Sequence, residues 1–108
     1  MKKKSERTME VYKEAGAYAR LLSDISAKAV VSMSKVLPAK DVDRFVVLLR
    51  KINEYTSKAD AQLFTDFPGI GDEGKDVFYG ALDSEPRNGL DKEVIQMAKQ
   101  KAMELFEN

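Results

Sequence analysis

The chain has 108 residues, 18 basic and 18 acidic side chains, 44% hydrophobic and 33% charged residues, and no His, Cys or Trp. That size fits one domain spanning 1–108, and that hydrophobic content at zero net charge lies outside the disordered regime. The missing residue types remove the commonest general base, the commonest thiol nucleophile and the two best transition-metal ligands, so no metal or cofactor is expected and an enzyme is the least favoured class.

Zero cysteines fits a reducing, cytoplasmic compartment. Met1-Lys2-Lys3-Lys4 resembles the basic start of a secretory signal, but the charged residues Glu6, Arg7, Glu10, Lys13 and Glu14 follow where an apolar stretch is needed, so no signal peptide is expected. No apolar run approaches the roughly 20 residues of a membrane span, so no membrane partner is expected either.

Between Met1 and Phe67 the chain holds one proline, Pro38, and one glycine, Gly16. Val11, Ala15, Tyr18, Leu22, Ile25, Ala29, Ser32 and Val36 alternate spacings of 4 and 3, a heptad seam that predicts a first helix from about Ser5 to Leu37. Leu21, Val30, Met33 and Leu37 widen the seam into a face. Ala15, Gly16, Ala19, Ser26, Ala29 and Ser32 are small and allow a neighbouring backbone to approach closely. Pro38 stops this helix, and Asp41 is the expected N-cap of the second. Val42, Phe45, Leu49, Ile52, Thr56, Ala59 and Leu63 repeat the same spacing to about Asp66. Two matched seams joined by a short turn predict an antiparallel hairpin, with Leu22 or Ile25 packing near Leu49 or Ile52.

Phe67-Pro68-Gly69-Ile70-Gly71 interrupts the pattern. A weak third helix is expected from Asp72 to about Leu82, limited by Gly74 and Gly80. Asp83 to Gly89 reads as a loop. A fourth helix begins at Asp91 as N-cap, buries Ile95, Ala98, Ala102 and Leu105, and has Leu90 and Ile95 placed as a hydrophobic staple. The expected fold is therefore all-α: two long helices forming a hairpin, extended by one short and one medium helix into a three- to four-helix bundle. Phe45, Phe64, Phe67, Phe78 and Tyr55 suit a cluster at the bundle's end.

Helix lengths of about 50, 38 and 25 Å for the first, second and fourth helices leave the first too long for its neighbours to cover. An uncovered apolar stretch is normally buried against another chain, which predicts a protein partner or homo-oligomer along the first helix. Tyr12, Tyr18, Leu22 and Tyr79 are the candidate partner-binding residues. The competing expectation is that this helix breaks before about Val11 and leaves residues 1–7 as a disordered basic arm.

Motifs for catalysis are sparse. Ser32-Met33-Ser34-Lys35 matches Ser-x-x-Lys, but Ser32 lies on the packing seam and the pattern is short enough to arise by chance. Glu10 and Glu14 read as a solvated face beside Lys13. Asp72 to Asp76 lacks the alternating carboxylates and terminal Glu of a calcium loop.

Phe67-Pro68-Gly69-Ile70-Gly71, between two helices, resembles the hairpin of the helix-hairpin-helix family, in which Leu-Pro-Gly-Ile-Gly links two short helices. The resemblance implies that Gly69, Ile70 and Gly71 present backbone amides to DNA phosphate, with Phe78 as the second helix's apolar anchor. Lys75 stands where that family has Ala, and Asp66, Asp72, Glu73 and Asp76 surround the hairpin with charge that repels a duplex. A Pro-Gly turn with Ile70 plugging the bundle is the preferred reading. The alternative function is a nucleic-acid-associated protein using this turn or the basic start, Lys2, Lys3, Lys4 and Arg7. Residues 1–40 carry nine basic and four acidic side chains, net +5, and the remainder is −5. Such asymmetry steers a charged partner or pairs two parts of one fold.

Overall fold

The computed structural model describes residues 1–107. A 3-10 turn at Lys4–Glu6 precedes three helices, α1 (Met9–Met33), α2 (Ala39–Asp66) and α3 (Gly89–Glu104), with a 3-10 helix at Gly71–Asp76 between the last two. Among the described residues there is no strand. The fold is an all-helical bundle in which α1 and α2 form the expected hairpin and α1 packs more extensively on α3 than on α2.

Local chemistry sets the boundaries. Thr8 caps α1, its hydroxyl accepting from the Val11 amide. Hydrogen bonds from Leu37 and Val36 to the Met33 carbonyl close the turn before Pro38, which stands as the N-cap of α2 in extended conformation. Asp41, the expected cap, instead lies inside the first turn of α2, where its charge still favours the positive end of the helix dipole. α3 is capped by Asn88, whose side chain accepts from the Asp91 amide at 2.8 Å. Asp91 therefore sits within the helix and is free for another role.

The expected third helix is not an α-helix. Only Gly71–Asp76 coils, in 3-10 form, and the chain then runs irregularly through Val77 and Phe78, both buried. Gly74 is packed against Ile70 and Phe64 with no room for a β-carbon, and Gly80 has a φ of 142°, which no other residue adopts without strain. These glycines choose irregular backbone over helix.

The core lies at one end. Tyr12, Ala17, Leu63, Val77, Phe78, Leu90, Val94 and Ala98 form it, joining the first half of α1, the last turn of α2, the 77–78 segment and α3. Tyr12 meets Phe67 and Phe78 edge-on at centroid distances of 5.9 and 6.5 Å. Of the expected aromatic cluster, Phe67 and Phe78 join the core, Phe64 and Phe45 are half-buried outside it, and Tyr55 is exposed, with the Lys58 ammonium 4.9 Å from its ring centroid. From Leu21 to Gln62 no residue is buried. The remainder of the hairpin thus projects from this base as an arm, and the molecule measures 47 × 30 × 27 Å with a radius of gyration of 15.5 Å, against about 13 Å for a compact chain of this length.

The large residues of the α1 seam are rotated out of the contact expected for them, although its Ala29 is half-buried. The buried residues of α1 are Tyr12, Gly16, Ala17 and Arg20, and in the arm the residues facing α2 are Ser23, Ser26, Ala27 and Val30, opposite Val46, Leu49, Arg50 and Asn53. Tyr18, Leu22 and Ile25 lie roughly a third of a turn away from that side and are 45%, 46% and 55% exposed. The reason is closeness of approach. A β-carbon on Gly16 would overlap the Val77 carbonyl oxygen, so the small side of α1 admits neighbouring backbone and the bulky seam turns outward.

Candidate interaction surface

Two surfaces of α1 and α2 carry apolar side chains that the chain leaves uncovered. On α1 the seam residues Val11, Tyr18, Leu22 and Ile25 are exposed, as are Met33 beside the seam at the helix end and Val36 in the turn beyond it. On α2, Val47, Leu48, Ile52 and Tyr55 are exposed, with Asp43 and Arg44 bordering a shallow depression over Val47 and Leu48. Both lie mainly on the arm. The last residues of the chain add Met103, Leu105 and Phe106, all exposed. The spacing places Ala102 and Leu105 in the buried stripe of this helix, but the stripe ends at Ala98 and Ala102 is half-buried.

The sequence candidates divide accordingly. Tyr18 and Leu22 stand together on the exposed seam. Tyr79 is exposed at the foot of the arm, its hydroxyl 3.2 Å from Ser57 Oγ. Tyr12 is a correction: it is only 6% exposed, and its hydroxyl donates to Asp66, so it is a core residue and cannot anchor a partner.

The base carries two charge clusters that sequence reading missed. Arg20 and Asp91 are both about 2% exposed. Arg20 Nη2 donates to Asp91 Oδ1 at 2.6 Å and to the Asp76 carbonyl, and Nε donates to the Val77 carbonyl at 3.3 Å. Arg87 completes the group, its backbone N–H 2.8 Å from Asp91 Oδ2 and its Nη1 2.8 Å from Asp76 Oδ1. Burial pushes the Asp91 carboxyl up, but the Arg87 amide and the two guanidinium groups together hold it below the ordinary carboxylate range. Arg20 stays charged despite its burial because a guanidinium cannot be deprotonated in this range. The four groups tie the 76–87 segment to α1 and α3. Beside them, Ser23, Asn53, Thr56, Ser57 and Tyr79, with the apolar Ala19 and Phe78, line a recess of about 190 Å³ of mixed character with Arg20 in its wall.

The second cluster fixes the start of the chain. Arg7 grips Asp66 through Nε at 2.7 Å and Nη2 at 3.0 Å, and Nη1 donates to the Lys2 carbonyl. Hydrogen bonds from Arg7, Tyr12 and Gln62 hold the Asp66 carboxyl well below the usual range against the opposing effect of burial. Residues 1–7 are consequently not a free arm, as the 3-10 turn and this bidentate pair hold them to the base. Lys2, Lys3 and Lys4 remain exposed, but Arg7 is committed to Asp66.

The glycine turn has a related outcome. Gly69 and Gly71 are exposed, Ile70 packs against the core, and a 3-10 helix follows where the family resemblance requires an α-helix. Asp72 is exposed and paired with Lys75 at 2.9 Å, as Asp66 is with Arg7 and Asp76 with Arg87, so these nearby cations are already answered. Among the described residues no group of three or more His, Cys, Asp or Glu is placed to hold a metal ion, and no helix is long and apolar enough to cross a membrane. The chain matches no family model, no curated protein and no solved structure.

Proposed function

We propose that this protein is a non-enzymatic helical interaction module, an adaptor, assembly subunit or inhibitor, that holds a protein partner or a second copy of itself along α1. One observation carries the reading: a heptad seam of large apolar residues, Val11, Tyr18, Leu22 and Ile25, lies on the exposed side of α1 while the small residues pack inward. Water-exposed apolar surface in a continuous stripe is normally covered by another chain. The working compartment in this reading is the cytoplasm, on the strength of a cysteine-free sequence.

The test compares the wild-type chain with Tyr18→Lys and Leu22→Lys as baits in extract from the native cell, alongside the mass of each in solution. Both side chains are half exposed, so both variants should keep their helix content and fold as monomers, their thermal midpoints falling only by what association adds to the wild type. Loss of a captured partner or of self-association in the variants supports the reading. Identical behaviour of wild type and variants in both assays removes it. Tight gel-shift retention on DNA at low salt, lost when Gly69→Ala is combined with Gly71→Ala, would promote the nucleic-acid alternative.

A further inference from the structure

We infer that the occupant of the α1 seam is a second copy of the chain, packed antiparallel. The inference rests on the interaction-module reading and narrows it to one partner and one orientation.

Heptad register favours this orientation. With Ala15, Leu22 and Ala29 at one core position and Val11, Tyr18, Ile25 and Ser32 at the other, an antiparallel pair centred between Leu22 and Ile25 sets Leu22 against the second copy's Ile25. The same register sets Tyr18 against Ala29 and Ala15 against Ser32. Each large side chain then meets a smaller or complementary one, so layers along about 32 Å of helix fill evenly. A parallel pair would stack two copies of Tyr18 in one layer and leave layers of Ala15, Ala29 and Ser32 underfilled.

Charge gives the same orientation independently. Along one flank of the seam the residues are Glu14, Leu21, Lys28 and Lys35, acidic at the base and basic toward the tip. Glu14, Lys28 and Lys35 are all exposed, Lys35 in the turn just past the end of α1. Antiparallel packing brings Glu14 opposite Lys35 twice by symmetry. On the larger scale, the arm from residue 21 to 58 carries seven basic and four acidic side chains, net +3, which leaves −3 for the rest of a neutral chain. Antiparallel packing lays each basic arm beside a base that is acidic as a whole, the −6 of residues 59–108 outweighing the +3 of residues 1–20, and parallel packing lays like beside like. The interface is isologous and closed, so it ends at a dimer.

Equilibrium sedimentation of the intact protein reads the mass, and disulfide trapping in this otherwise cysteine-free chain reads the orientation. The expected mass is that of a dimer, twice the 12.1 kDa of the chain. Mixing Ala15→Cys with Ser32→Cys protein should give the mixed disulfide, since the two sites are adjacent across the antiparallel pair. Homodisulfides of Ala15→Cys should not form, because those sites lie about 25 Å apart. Glu14→Lys should weaken dimerisation several-fold, and adding Lys35→Glu should restore it. A homodisulfide of Ala15→Cys in a dimeric species overturns the orientation. A monomer mass at every concentration overturns the dimer, and the broader reading then stands or falls on the bait comparison, which uses a different readout.

Discussion

The base and the arm share the helices α1 and α2, the base adding α3 and the 77–78 segment, and they are held together by different physics. In the base, α1 sets Gly16 and Ala17, which let backbone approach, between the large buried Tyr12 and Arg20, and a small apolar core is joined by the buried ion pair Arg20–Asp91 and the part-buried pair Arg7–Asp66. In the arm the same helix faces α2 across Ser23, Ser26 and Ala27, with nothing buried on either side. A helix with no buried face draws its stability from propensity and from partners. The base is therefore the folding unit, and the arm is surface.

Breaking the base should have the largest effect. Asp91→Asn leaves Arg20 charged, fully buried and without its counter-ion, and a loss of about 3–5 kcal/mol in urea unfolding is expected. Leu22→Lys or Ile52→Lys in the arm should change monomer stability by less than about 0.5 kcal/mol. Comparable losses at the two sites would abolish the distinction between base and arm. Acid acts on the same group. The Asp91 and Asp66 carboxyls are held below the ordinary value, so their stabilisation is present above the unfolded pKa of about 3.9 and is lost as pH falls through the lower folded values. Urea midpoints should therefore hold steady down to about pH 4 and drop below it, and the Asp91→Asn variant should drop less steeply.

Gly16→Ala probes the same contrast at intermediate size. Alanine is the better helix former by about 1 kcal/mol, so propensity alone predicts stabilisation. At Gly16 the added methyl would overlap the Val77 carbonyl oxygen, which is backbone and has little room to move. A net destabilisation of about 1–3 kcal/mol is expected, as for other overpacked sites. A stabilised variant would mean that α1 does not approach the 77–78 segment as closely as described.

The hairpin, its turn at Pro38 and the helix starting near residue 90 are legible from periodicity and breakers, because both are properties of neighbouring residues. The phase of α1 is not. A heptad count identifies an apolar face but cannot say whether the chain's own neighbours or another molecule cover it. The signal that decides the matter, Gly16 beside Ala17 and Ala19 opposite the seam, is readable as a close-approach surface. Its partner is the irregular 77–78 segment, and no spacing rule places that segment. Arg20 and Asp91 are hidden for a related reason: they lie 71 residues apart, and each alone has the pattern of an ordinary surface charge. Asp91 reads as a cap because it precedes an apolar stripe, and Asn88 three residues earlier serves instead.

Asp60 offers the smallest test, and it lies near the border between the two regions. Its Oδ1 is buried without a hydrogen-bond donor, and burial pushes the carboxyl above its ordinary value. A raised carboxyl is a group the native state prefers protonated, so at neutral pH its charge opposes folding, and the opposition fades as pH falls through the raised value. Asp60→Ala should accordingly stabilise the protein by about 0.5–1 kcal/mol at pH 7, combining relief of the unsatisfied oxygen with the better helix propensity of alanine. The two contributions separate by titration. Propensity does not depend on pH, whereas the burial contribution disappears once Asp60 is protonated, so the gap between variant and wild type should narrow between pH 7 and pH 4. A gap that stays constant over that range would assign the whole gain to propensity and show that the packing of α2 near Asp60 leaves the carboxylate in water.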